Sequence, residues 1–285
     1  MIRRPFAPVL ILLLLLPPGR LLSQEPDQES EPQGCVEGDC KNGRGSFVFP
    51  GGETYSGAWQ SGLMQGAGRL ELPDAGFYEG LFRAGRFEGG GRREWPGGIT
   101  YTGNWRSGLM DGEGELRYPG GAYHKGTFRE GRPEGPGEAR TRRGDVFRGV
   151  VQNGRFNGRG EIRLRNGGRY TGGLKNSQPH GQGRLRRGRL RYSGGYRNGR
   201  PEGRGLVEYA NGAAYQGSFL RGRPHGVGEY RWADGTIYRG DFRQGRMQGE
   251  GEVAYAGGGF YRGGCEASRF HGAGELDLPD RYRYQ

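Results

Sequence analysis

From Tyr55 almost to the C-terminus, apolar and polar residues alternate in short runs, and no apolar stripe recurs at helical spacing. In Tyr101-Thr-Gly103-Asn-Trp105, aromatic, glycine and aromatic hold one parity, and Thr102 and Asn104 hold the other. A period of two puts the first set on one face of a strand. Gly112, Gly114, Leu116 and Tyr118 continue the rule on a second run, as do Gly226, Gly228, Tyr230 and Trp232. A short connection that carries another glycine in most copies, such as Ser107-Gly108-Leu109-Met110-Asp111, joins the two runs of one unit. Pro119-Gly120-Gly121, Asn211-Gly212 and Asp234-Gly235 separate successive units with strong turn signals. The pattern predicts one β-hairpin per unit.

Aligned on the glycine two residues after the first aromatic, the units fall at Gly57, Gly80, Gly103, Gly126, Gly149, Gly172, Gly194, Gly217, Gly240 and Gly263, a spacing of 23 broken once by 22 between Gly172 and Gly194. Tyr55, Tyr78, Tyr101, Tyr215 and Tyr238 precede their glycines in the regular copies. Trp59, Phe82, Trp105, Phe219 and Phe242 follow them, and a Gly-x-Gly, such as Gly66 and Gly68 or Gly112 and Gly114, closes every copy. A glycine inside a strand costs backbone entropy and marks close approach by another group. The Tyr and Trp/Phe rings of the first strand are that group, lying over the glycine backbone in a core too thin for one hairpin to complete. A lone hairpin is marginal, so the units must stack into a quasi-one-dimensional array.

The pattern Y-x-G-x-W/F-x-x-G-x-x-x-G-x-G, in ten copies over about residues 42–285, resembles the MORN (membrane occupation and recognition nexus) repeat. The resemblance implies an all-β fold, an elongated, twisted, solenoid-like sheet of consecutive antiparallel hairpins, used for protein interaction or scaffolding, with membrane-lipid binding a second use. Some copies depart from the pattern. Val151, Leu174 and Tyr196 replace the Trp/Phe in copies five to seven, Ser177 replaces the connecting glycine, and one residue is missing at the short step, which together suggest a bend or softer joint. Cys265 and Ser268 make the tenth copy look degenerate, as an end-capping unit often is. Tyr284 can begin a last edge strand, and an edge strand offers a route to self-association.

The N-terminus changes the picture of location. Met1-Ile-Arg3-Arg4, the apolar run Phe6 to Leu16 and Pro17-Pro18 have the shape of a secretory leader, too short for a span of about 20 residues. Residues 1–23 are read as a signal peptide or an N-terminal anchor, and 24–34, with Glu25, Asp27, Glu29 and Glu31 and no base, as an acidic linker. Residues 35–54 form a half-repeat cap, and 55–285 the array. Export of the body to a periplasmic, secreted or membrane-tethered location follows, and nucleic acid is not expected as a partner there.

The cysteines follow from that location. In an exported chain, Cys35 and Cys40 suggest a disulfide at the start of the array, and Cys265, at an inward aromatic position, a buried thiol.

Chemistry is sparse. His180, His225 and His271 occupy one repeat position, two copies apart, too far to share a metal, and Gln65, Glu88, Asp111, Glu134, Asn157, Glu202 and Gln248 fill that position elsewhere as a polar row. The Gly-x-Gly pairs precede no helix and bind no dinucleotide by that rule. No catalytic residue, metal site or cofactor is expected. With a net charge of +12, nearly all from arginine, the one candidate for anion binding is Arg184, Arg186, Arg187, Arg189 and Arg191. Two readings result: a scaffold for an unknown protein partner, or a binder of anionic lipid or glycan through that arginine-rich section.

Overall fold

The computed structural model describes residues 33–279 and 282–284. The predicted leader and most of the linker lie outside them. The described residues divide at Arg155/Phe156 into two compact units, and among them there are 23 strands and no helix. None of the described segments is therefore a helix long and apolar enough to cross a membrane.

In the N-terminal unit, strand Thr54–Gln60 pairs antiparallel with Leu63–Leu72, and Leu63–Leu72 with Gly76–Arg83. The same alternation continues through Ile99–Arg106 and Leu109–Arg117 to Val146–Gln152. In the C-terminal unit it runs from Arg155–Arg163 and Arg169–Lys175 to Arg269–Leu278 and a short last strand, Tyr282–Tyr284. One hairpin per copy is what the alternation of the sequence demands. The start is fuller than the repeat pattern announces: Gly34–Gly38 is itself a strand, paired with Arg44–Val48, so the opening half-repeat has a first strand without its aromatic residues.

The core is the aromatic face. Tyr55, Tyr78, Tyr101, Tyr170, Tyr192, Tyr215, Tyr238 and Tyr261 are buried, and each hydroxyl donates to the carbonyl three residues on, as from Tyr101 to Asn104 at 3.0 Å. Rings interlock edge to face from one copy to the next: Tyr55 meets Trp59 at 5.0 Å and Phe82 at 4.9 Å, and Tyr215 meets Phe219 at 5.1 Å and Phe242 at 4.8 Å. Such pairs add about 0.5–1.5 kcal/mol each beyond the area they bury. The odd copies keep the arrangement. Val151, Leu174 and Tyr196 are buried, and Tyr196 packs edge-on at 5.1 Å against both Tyr170 and Tyr192.

The two glycines of Gly-x-Gly do different jobs. A Cβ on Gly68 would lie 2.3 Å from the Tyr55 hydroxyl, and Gly68 faces Gly57 across the hairpin. In copy three a Cβ on Gly114 would lie 2.2 Å from the Tyr101 hydroxyl, and one on Gly103 would lie 2.4 Å from the Gly114 Cα. Gly57 with Gly68, and Gly103 with Gly114, thus form the seats of their rings. The earlier glycine of each pair, Gly66 through Gly272, has φ between +64° and +100°. It sits where the hairpin register slips, as between Gly103/Trp105 and their partners Gly114/Met110, and is a bulge residue. Close approach by a ring, the reason inferred from sequence for both members, holds for Gly68 and Gly114 but not for Gly66 and Gly112, which are required by backbone conformation instead.

The short step between copies six and seven is absorbed in a turn. In most other copies a three-residue loop ends in a positive-φ glycine, such as Gly235 between Trp232 and Thr236. At the short step Arg187 pairs with Leu190 across two residues, Gly188-Arg189, and the Gly183–Gly194 register is kept. Strand pairing is therefore continuous through copies six and seven.

Candidate functional site

Every copy is closed inside its hairpin by a two-residue turn. Its first residue has φ between +46° and +53° and its second between +61° and +85°, the signature of a type I′ turn. Glu130 and Arg221 hold the first position, which L-residues adopt at a cost. Two bonds to the preceding copy offset it. The N–H of the first residue donates to the polar-row side chain, as from Ser107 to Glu88 Oε2 at 2.9 Å and from Arg221 to Glu202 Oε2 at 3.0 Å. The N–H of the second donates to a backbone carbonyl, as from Gly108 to Phe87 at 2.9 Å. Gln65, Asp111, Glu134, Asn157 and Gln248 act alike, so the polar row is a structural ladder. His180, His225 and His271 stand outside it. Where serine replaces the turn glycine it adds a bond: Ser177 Oγ accepts from the Phe156 N–H at 3.0 Å, and Ser268 Oγ from Met247 at 3.1 Å. Copy ten is thereby docked like the others.

Cys35 and Cys40 are joined, and Cys265 is a free, buried thiol whose pKa burial raises. His124 takes a tyrosine's place in copy four. It is buried with neither ring nitrogen hydrogen-bonded, and desolvation lowers its pKa to about 4. Among the described residues no three His, Cys, Asp or Glu gather as metal ligands do.

The aromatic face is taken up by its own packing, so copy-specific contacts fall to the opposite face. There the C-terminal unit bears a trough of about 1040 Å³. Its floor is the paired glycines, such as Gly183 and Gly194. Its walls are Arg159, Arg184 and Arg204 with Thr171, Gln182, Ser193, Leu206, Gln216, Ser218 and Val227, and none of the described acidic side chains lines it. The arginine cluster expected from sequence is split by the period of two. Arg184, Arg186 and Arg191 alternate with inward Leu185 and Tyr192 and share the trough face; Arg187 has the opposite parity, and Arg189 lies in the turn. The structure adds Arg159 and Arg204, far away in sequence. Their signal was present: each is the x of a Gly-x-Gly, a column that points to the outer face in every copy.

On that face Arg163, Arg169, Arg186 and Arg191 lie opposite one another on successive strands. Glu161 bridges Arg163 at 2.5 Å and Arg169 at 2.8 Å. Burial acts to raise the Glu161 pKa, but the two guanidinium groups together outweigh it and bring the pKa below the ordinary value. Glu208 is 3.7 Å from Arg191.

A sheet of stacked hairpins with one aromatic, glycine-seated face defines a β-repeat protein rather than a domain closed around a cavity. Nine segments, 55–76, 78–100, 101–123, 124–146, 147–169, 170–188, 192–214, 215–237 and 238–260, match the MORN repeat family. The chain belongs to that family, whose members are generally non-catalytic and whose repeats serve as protein-interaction or membrane-association modules. No curated protein matches the sequence. Among solved structures, the chain is similar to the TCP domain of Drosophila melanogaster SAS-4 in complex with a proline-rich motif of Ana2. Identity is 12%, covering 52% of this chain and 81% of that one, with a TM-score of 0.33. The TCP10 domain of Danio rerio CPAP in complex with a STIL peptide gives 12% identity over 88% and 97%, with a TM-score of 0.32.

Proposed function

We propose that this chain is an exported, non-catalytic scaffold that holds a protein partner on the face opposite its aromatic core. The observation that carries this reading is the division of labour between faces. Tyr, Gly and Trp/Phe are committed to packing, while the opposite face varies from copy to copy and is concave over the C-terminal unit. A scaffold of this kind needs no reacting group, and its specificity lies in the outward column between the paired glycines. Export rests on the leader-shaped residues 1–23 and the cysteine pair that an oxidising compartment would close.

A photo-crosslinking residue placed at Gln216, in the full chain in its native cell, is expected to yield a covalent protein adduct, and the same residue at Tyr255 on the other face is not. Adducts with lipid alone, or none at Gln216, would overturn the scaffold reading in favour of a membrane or glycan surface. Mass spectrometry of the mature chain tests export: a cytosolic chain beginning at Met1 would refute it.

A further inference from the structure

We infer that the trough receives an extended acidic segment of a partner protein, whose carboxylates meet Arg159, Arg184 and Arg204. The inference rests on the scaffold reading and adds the chemistry of the partner. Among the described residues the three guanidinium groups have no ion-pair partner. The residues directly across from them are Gly173 for Arg159, Thr171 and Ser193 for Arg184, and Ser218 for Arg204, none of which carries charge. On the same face Glu161 is engaged by Arg163 and Arg169, Glu208 by Arg191, and Glu229 by Arg239 at 2.9 Å, while Asp241, across from Val227 at one end of the trough, has no ion pair among the described residues. Positive charge is therefore left over inside the concavity at Arg159, Arg184 and Arg204.

Shape selects among anions. A trough floored by bare glycine backbone admits a rod-like chain and meets a flat bilayer only at its rim. Arg159, Arg184 and Arg204 stand on alternate strands, so about 10 Å separates neighbours across the sheet. A peptide in the extended polyproline II conformation rises about 3.1 Å per residue with three residues per turn, so an acid at every third position stays on one side and matches that spacing. Thr171, Gln182, Ser193 and Gln216 supply uncharged hydrogen-bonding groups for the main chain between those acids.

The test uses the purified full chain and a fluorescent peptide of about twelve residues with Glu at every third position and Gly or Ser between, followed by anisotropy. Binding that weakens with salt is expected, and a Gln-for-Glu version of the peptide should not bind. Changing Arg159, Arg184 and Arg204 together to Gln should weaken binding at least about tenfold. Changing Arg223, Arg243 and Arg246 to Gln removes the same charge outside the trough and should alter binding less than about twofold. Equal losses in the two triple variants would reduce the effect to net charge and overturn the inference. So would absence of peptide binding alongside capture of anionic phosphatidylserine vesicles through the same three arginines. A protein adduct at Gln216 without any binding of the Glu peptide would remove the acidic chemistry while leaving the scaffold reading intact.

Discussion

A methyl group added to Gly183 would sit 2.4 Å from the Tyr170 hydroxyl and 2.5 Å from its ring, whereas one added to Gly181 would meet nothing within 4 Å. The two residues belong to the same Gly-x-Gly yet differ in what they require, as Gly68 and Gly66 do in the first copy. Gly183→Ala must displace a fully buried tyrosine and is expected to cost more than about 3 kcal/mol. Gly181→Ala pays only for a left-handed backbone at φ +72°, about 1–2 kcal/mol. Urea denaturation of the two variants checks the difference. His124 carries the second residue-scale prediction. Folding holds it neutral down to about pH 4, against an ordinary value of 6.5, so the unfolded chain takes up the proton first as pH falls. The stabilisation is complete above about pH 6.5 and is lost toward pH 4, on the order of 3 kcal/mol in all. His124→Tyr places over Gly126 and Gly137 the hydroxyl that Tyr101 and Tyr170 carry in their copies. Its melting temperature should exceed that of the parent at pH 5 and lose most of its dependence on pH between about 5 and 7.5.

Among the elements, the hairpin turn is held more by the preceding copy than by its own sequence. Arg221 occupies a positive-φ position that no propensity recommends, and Glu202 receives its N–H. Glu202→Ala strips that amide of its acceptor and is expected to cost about 1–2 kcal/mol and to speed hydrogen exchange at Arg221, while Glu202→Gln keeps both near the parent values. This bond also marks where sequence reading stopped. Strand parity, the hairpin unit and the seating of Tyr55 over Gly57 and Gly68, or of Tyr101 over Gly103 and Gly114, were legible because each lies within one copy and follows a period of two. The polar row at Glu88, Asp111 and Glu202 was visible as a column, but its role depends on a turn 19 residues ahead, which periodicity alone does not place beside it. Likewise Arg184 and Arg186 could be set outward by parity, but not beside Arg159 and Arg204, because that requires stacking copies in register. Bulging at Gly66 and Gly112 was hidden for a different reason: it gives the same letter as the ring seats at Gly68 and Gly114.

At the scale of the molecule, contacts in each unit join a copy to its neighbours in the chain, so stability should be local along the array. The Cys35–Cys40 disulfide ties the first strand, Gly34–Gly38, to the loop that leads into Arg44–Val48. Closing so short a segment is worth about 2 kcal/mol by the chain-entropy argument. The Cys35→Ser, Cys40→Ser double variant should therefore lose amide protection through Gln60 and keep it from Ile99 onward, as read by hydrogen-exchange mass spectrometry. A uniform loss over both units would mean long-range cooperativity that the hydrogen-bond pattern does not suggest.

The N–H groups of the turns point one way only, and Ser177 and Ser268 add a hydroxyl that accepts from the earlier copy. Ser61 and Gly62 donate back to Asn42 and Lys41, Ala84 and Gly85 to Gln65 and Met64, and so on through each unit, always from a later copy to an earlier one. A hairpin thus finds its acceptors in chain that a ribosome has already released, and none of its turn bonds waits for residues still to be translated. The array is suited to being laid down in the order of its synthesis, with residues 35–54 serving as the first course on which the next is set.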